Sequence, residues 1–424
     1  MNFRRQAIKF FVPLAIAGLA FVGIWLALQA RRNNSVTIVA MQEEASRFEI
    51  PIHLKDLDNN SIPDEENAFT DFQKWRKQLT EVGKALFRAE YESESPDEFP
   101  TAADVSNLET LLNPHQQMIE EMIQAASKKH LRIPQKSDKP DDVFKELSDF
   151  QLDYNMAKWV LLHNARLQLL QGRLDESVRC AIASMKWSEK FAQLPGAEFF
   201  LFGSAARLAG VDCLANALYT GSLNQESYAA IESALLNYDT FEVLRSSIYS
   251  EIPVSIDVKQ VLLPNPASTE SSKENEEKKF ISEMKSKAEL KLLVDGRFIE
   301  LPEVADASKQ LIGSELSLLS VRSAQLVAMS AEARRRCLLA LLEWRREGGT
   351  ARNLDDLDLV RPWAKDPWDG GPLKFRLSDF GPVIYVVGEN RVDDGGEKSL
   401  IDRVIDDGIL PIQESIRLNG ASNQ

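Results

Sequence analysis

Residues 366–396 read DPWDGGPLKFRLSDFGPVIYVVGENRVDDGG, and this stretch decides how the C-terminal part of the chain is built. Leu373, Phe375 and Leu377 alternate with Lys374 and Arg376, the pattern of a strand with one buried face. Gly381-Pro382 predicts a turn, and Val383 to Val387 a second strand that pairs back. Just upstream, Leu326, Met329, Ala333, Cys337, Leu341 and Trp344 fall on one helical stripe, which Gly348 closes as a C-cap. Two or three short antiparallel strands against that helix bury a core that neither makes alone. Arg334, Arg335 and Arg336 fall on the other side of the helix and read as a solvated face. The module spans 347–412, with a tail at 413–424.

Working back from it, residues 286–346 read as helices that join the module to a helical body at 63–263. Between them, 264–285 (PNPASTESSKENEEKKFISEMK) is polar, charged and short of apolar residues, as a surface loop or hinge is. In the body, Phe69, Phe72, Trp75, Leu79, Val82 and Leu86 recur at steps of three and four. Pro63 followed by Asp64, Glu65 and Glu66 predicts that this helix starts there, since proline fits a first turn and acids favour the positive end of the dipole. SESPDEFP (93–100) breaks the chain, and a second amphipathic helix is expected through about Lys128. The phrase QLLQGRLDESVRCAIASM (168–185) resembles one tetratricopeptide-type turn, and TGSLNQESYAAIESAL (220–235) repeats its shape. Gly221 answers Gly172, Leu223 answers Leu174 and Ala230 answers Ala181. The body is therefore expected to be either a helical bundle or a short set of tetratricopeptide-like hairpins.

The N-terminus carries a different signal. Phe10 to Ala30 is a run of 21 residues without a charge. At ~1.5 Å per residue it matches a hydrocarbon core of ~30 Å. It is longer than the apolar region of a cleaved signal peptide, and Leu28 stands where a cleavage site wants a small residue. An uncleaved transmembrane anchor at 10–30 is expected, with a cytoplasmic segment at 1–9 and a tether at 31–62. Arg4, Arg5 and Lys9 before the run nearly balance Arg31 and Arg32 after it; Glu43 and Glu44 tip the body to the extracytoplasmic side of the inner membrane.

The order of parts from Gln325 to Gly396 resembles the globular end of a major pseudopilin, the filament subunit of type II secretion systems. Gly348, Leu354, Leu357, Asp366, Pro367, Trp368, Gly370, Pro372, Gly388, Asp394, Gly395 and Gly396 fill that family's places over about seventy residues. Similar C-termini occur on large membrane-anchored proteins of planctomycete-like bacteria, whose helical middles this chain also resembles. There are departures. Ala351 replaces the usual proline, and the anchor has neither a Gly-Phe processing site nor a glutamate near the start of its apolar run. The chain is thus not expected to be a filament subunit itself. The resemblance implies a calcium loop after the second strand, with Asp393 and Asp394 supplying carboxylates and Glu389 or Asn390 completing the oxygen shell. Asn390-Arg391 stands where the family has Asp-Gly, so an ordinary turn is the alternative.

A net charge of −14 argues against nucleic acid, whose phosphates require a basic face. Cys180, Cys213 and Cys337 are widely spaced in helical runs, which points to small buried hydrophobes rather than a disulfide framework or zinc site. No nucleotide, zinc-protease or serine-hydrolase motif is present, and His53, His115, His130 and His163 lie far apart. His163 sits among apolar residues as a packing histidine does. Trp363 and Trp368 read as packing for the strand layer. No catalytic residue emerges. The chain reads as mainly α, with an N-terminal transmembrane helix and a small C-terminal α+β module. Its expected role is that of a non-catalytic envelope scaffold for a protein partner. An accessory of a secretion or pilus-like machine, and an extracytoplasmic hydrolase, are the alternatives. No cofactor beyond calcium is expected.

Overall fold

Phe69, Phe72, Trp75, Leu79, Val82 and Leu86 are all buried along one side of helix α1 (Ala68–Tyr91). In the computed structural model, which describes residues 62–91, 102–134, 140–244, 246–247, 315–357, 362–389, 391–393, 395–396 and 407–409, this helix starts five residues later than its acidic lead-in suggests. Asp64–Glu66 form a separate 3-10 turn. Asn67 then caps α1: its Oδ1 accepts from Phe69 N at 3.1 Å and from Arg132 N at 2.9 Å, while its Nδ2 donates to Arg132 O at 2.8 Å. A buried side chain tied to residue 132 fixes the boundary more firmly than charges near a helix end.

The second helix is divided as well. Helix α2 (Ala102–Leu112) ends in a 3-10 turn at Asn113–His115, and α3 (Gln116–Ala125) begins after it. Pro114 accounts for the break, because it lacks an N–H and restricts the residue before it. Then come α4 (Pro140–Leu170), α5 (Leu174–Ala192), α6 (Ala197–Thr220), α7 (Gln225–Leu236) and α8 (Glu315–Arg346). Successive helices fold back on one another: α4 packs on α1 and α5, α5 on α6, and α8 on α6 and α7. The anchor at 10–30, the loop at 264–285 and the tail at 413–424 lie outside the described residues. Among the described residues no helix is long and apolar enough to cross a membrane.

The two proposed repeats are both helix–turn–helix junctions, but their turns differ. Gly172 has φ +75°, a left-handed position that suits glycine. Gly221 is extended at φ −173°, and Asn224, not the glycine, organises that turn by accepting from Ser227 N at 2.8 Å. The shared letters therefore do not carry a shared backbone.

Two large apolar clusters hold the helices. One, lined by α1, α3, α4 and α5, is aromatic. Phe72 meets Phe150 edge-on at 4.9 Å, and Tyr154 stacks on Phe191 at 3.9 Å. The other surrounds α8, with Val178, Leu214, Leu218 and Ile231 on the body side and Ile384 and Val386 on the sheet side. The sheet is antiparallel in the order β1-β2-β3, from β1 (Lys374–Ser378), β2 (Gly381–Val386) and β3 (Asp407–Ile409). Phe375 faces Ile384 and Lys374 faces Tyr385, and Ile384 in turn faces Ile409. The hairpin turns at Asp379-Phe380, not at Gly381-Pro382, which open β2 opposite Ser378 and Leu377. The Ser378 hydroxyl sets this register by donating to Gly381 O at 2.9 Å and accepting from Phe380 N at 3.2 Å.

Candidate functional site

The joint between helical body and sheet holds the densest set of charged groups around α8. Arg334 is 4 % exposed, and Arg335 and Arg336 are partly buried, so the triple arginine is not a solvated face. The reason is topological. Helix α8 has α6 and α7 on one side and the sheet on the other, which leaves little of its circumference to water. Glu332, itself 4 % exposed, accepts from Arg335 Nε and Nη2, both at 2.7 Å, and from Arg336 Nε at 2.6 Å. Burial raises the Glu332 carboxyl, but the Arg335 and Arg336 bonds outweigh it and hold it below its ordinary value.

The remaining guanidinium donors reach across to other elements. Arg334 Nη1 donates to Asp212 of α6 at 3.1 Å, and Arg335 Nη1 to Leu235 O in the last turn of α7, also at 3.1 Å. Arg336 Nη1 donates to Lys365 O at 2.6 Å, just before the Asp366-Pro367-Trp368 turn. Arg345 donates to Leu218 O and Tyr219 O in the last turn of α6, and Arg346 pairs with Glu232 of α7. Cations thus meet the C-terminal carbonyls of two helices, where the dipole is negative. Helix α8 ends at Gly348 (φ +83°), with Gly348 N bonded to Arg345 O and Gly349 N to Trp344 O, the Schellman arrangement.

Asp366 is the second knot. It is 1 % exposed; its Oδ1 accepts from Trp368 N at 2.8 Å and its Oδ2 from Val387 N at 2.7 Å. One carboxylate thereby ties the turn before β1 to the end of β2. Burial pushes it up to about 6, against the opposing pull of the backbone bonds. Trp363 and Trp368 are buried beside it in the cluster around α8. The Tyr219 hydroxyl donates to Pro382 O at 2.8 Å, a direct tie between α6 and β2.

The loop expected to bind calcium meets the hairpin through Asp393 and Gly395. Asp393 Oδ1 accepts from the Tyr385 hydroxyl and from Gly395 N, both at 3.0 Å, and Arg376 Nε donates to Gly395 O at 2.8 Å. A Cβ on Gly396 would sit 2.9 Å from the Tyr385 ring, so this glycine serves a close approach of backbone to that ring. Glu389 is exposed, and Asn390 and Asp394 lie outside the described residues. Among the described residues no group of three or more histidine, cysteine, aspartate or glutamate side chains is placed to hold a metal ion.

The other candidates from sequence are scattered. His163 is buried with its ring 5.5 Å from that of Trp159; His115 meets Gln78 at 2.6 Å; His130 pairs through its backbone with Glu66 and Ala68. His53 lies outside the described residues. None of the three cysteines forms a disulfide, and burial pushes the Cys180 thiol up to about 11, away from reactivity. A cavity of about 10 Å³ lies between Phe72, Met122, Tyr154, Lys158, Ser184 and Trp187. Burial lowers Lys158 to about 8, a value suited to a base, but this space admits one water and no substrate.

Sequence reasoning missed Glu332 and the role of Asp366. The signal for the first was present, since Glu332 stands three and four residues before Arg335 and Arg336, the spacing of neighbours on a helix. Asp366 is visible in the pseudopilin-like pattern and its bond to Trp368 N is local, but nothing near it in sequence signals its partner Val387, 21 residues away. The chain matches no protein-family model, no curated protein and no solved structure.

Proposed function

We propose that this chain is a non-catalytic, membrane-anchored envelope protein that presents a protein-interaction platform on a fixed joint. The supporting observation is the joint itself. Arg334, Arg335, Arg336, Arg345 and Arg346 all bond to acceptors on α6, α7 or the Lys365 backbone, or to acids on α8. These bonds fix α8 to the helical body, while Arg336 reaches the Lys365 backbone and Tyr219 reaches Pro382 O on β2, and a fixed joint is what a platform requires. The apolar run at 10–30 supports the anchor. The hairpin tip supports a contact surface: Leu377 is 49 % and Phe380 46 % exposed, side by side in the chain with the turn that joins β1 to β2.

The test is crosslinking of tagged chain in its native membranes, followed by identification of what is captured. Deleting residues 325–424 is unsuitable as a control, because it removes Cys337, Leu341 and Ile384 from the core around α8. The paired substitution Leu377→Asp and Phe380→Asp changes only exposed positions. A captured partner that is lost from this variant, with its circular dichroism unchanged, supports the platform. A partner retained in full by the variant removes the hairpin tip from the proposal, and no specific capture removes the scaffold reading. Recovery of secretion or pilus components would identify the machine-accessory role, which the pseudopilin-like order of parts favours as the second reading.

A further inference from the structure

Arg207 stands in the middle of α6 and is 1 % exposed, which makes it the largest fully buried side chain among the described residues. Its Nε donates to Glu189 Oε1 of α5 at 3.0 Å, and its Cζ lies 4.0 Å from the centre of the Tyr238 ring. One edge and one face of the guanidinium are thereby used. Its other two nitrogens, Nη1 and Nη2, are buried and meet no hydrogen-bond acceptor. Ser204 lies three residues before it on α6, also 1 % exposed, and its hydroxyl is near that of Tyr238. Tyr238 in turn belongs to an apolar cluster with Ala192, Phe200 and Leu244, so water does not bathe the group.

The unmet chemistry has one sign. A guanidinium has donors only, and each hydroxyl carries a proton it can donate. The acceptor at hand, the Glu189 carboxylate, is engaged on the Nε edge and is 19 % exposed, so water screens it more than Arg207. The Nη1–Nη2 fork is therefore a positive, bidentate donor enclosed in the molecule, over a tyrosine ring whose hydroxyl neighbours that of Ser204. A carboxylate or a phosphate offers the matching pair of oxygens at that spacing. A neutral ligand or a cation does not.

We propose that Arg207 Nη1 and Nη2, with the hydroxyls of Ser204 and Tyr238, form a binding site for a small oxyanion, a carboxylate or a phosphate. The site is independent of the platform and uses no residue of it. Because Arg207 is closed from solvent, entry accompanies local opening, and uptake is slower than diffusion.

The experiment titrates the full chain with inorganic phosphate and, separately, with acetate, each at constant ionic strength made up with chloride. Melting temperature and heat of binding are read. A rise over chloride with either anion is expected, and which of the two acts distinguishes phosphate from carboxylate. Arg207→Lys keeps the charge but loses the fork, and lowers the affinity by about tenfold or more. Tyr238→Phe keeps the ring and the fold, and weakens binding several-fold; it carries the test if the lysine variant does not fold. Equal melting temperatures in chloride, phosphate and acetate overturn the proposal, as does unchanged affinity in both variants.

Discussion

Glu332→Gln isolates the charge of the knot on α8 while keeping its shape. The carboxylate serves Arg335 through two bonds and Arg336 through one. An amide offers a single acceptor oxygen and no charge, so two partly buried guanidiniums lose their counter-ion. Breaking a buried ion pair costs about 3–5 kcal/mol. Arg335 and Arg336 keep 13 % and 18 % side-chain exposure, so water takes up part of the loss. The lower end, about 3 kcal/mol, is expected at pH 7. Urea unfolding of the full chain in mild detergent, followed by tryptophan fluorescence, measures the difference from the midpoints and slopes. The pH dependence is a separate check. Glu332 is held below its ordinary value of 4.5, so its contribution is complete above that pH and is lost as pH falls through the folded-state value. The wild type and the variant should therefore converge on acidification below pH 4.5. A gap under about 0.5 kcal/mol at pH 7, the size of an ordinary surface substitution, would refute the knot as a stabiliser. So would a gap that persists unchanged in acid.

Two further outcomes follow from the geometry. Asp366→Asn keeps the shape and removes the titrating proton, leaving one amide oxygen for the N–H groups of Trp368 and Val387. Because burial raises Asp366 from 3.8 to about 6, the protonated form favours the fold; the wild type then loses up to about 3 kcal/mol as pH rises from 4 to 6, a slope absent from the variant in thermal melts. Gly83→Ala places a methyl 2.0 Å from Met156 O at the crossing of α1 and α4. It should destabilise by about 1–3 kcal/mol net of alanine's better helix propensity, and a stabilised variant in the same melts would show that the two helices part easily.

The mainly helical body and small antiparallel sheet were legible from periodicity, because apolar stripes on α1 and α8 and the alternation of β1 reflect single-element geometry. Gly348 was legible as a cap for the same local reason. The arginine triple was not. A run of like charges says nothing about whether a sheet will cover it, and here Leu235 O, Lys365 O and Asp212 supply acceptors from distant sequence. The start of α1 was misplaced because Asn67 is fixed by Arg132, 65 residues on. The break at Pro114 was readable in principle and was overridden by the apolar pattern on either side. As for the loop at 388–396, its acids were visible, but not that Tyr385 would engage Asp393.

The placement of α8 also governs when the molecule can become itself during synthesis. Its residues arrive on the ribosome about eighty positions after α7 ends, yet they fill the space against α6 and α7. Until then Leu214, Leu218 and Ile231 lack their partners on α8, Leu338, Leu341 and Leu342 among them. A nascent chain with α1 to α7 complete therefore exposes an apolar flank, and closing so long a gap carries an entropic cost that only the last hundred residues repay. A product truncated before residue 315 is therefore expected to be cut faster than the full chain in limited proteolysis.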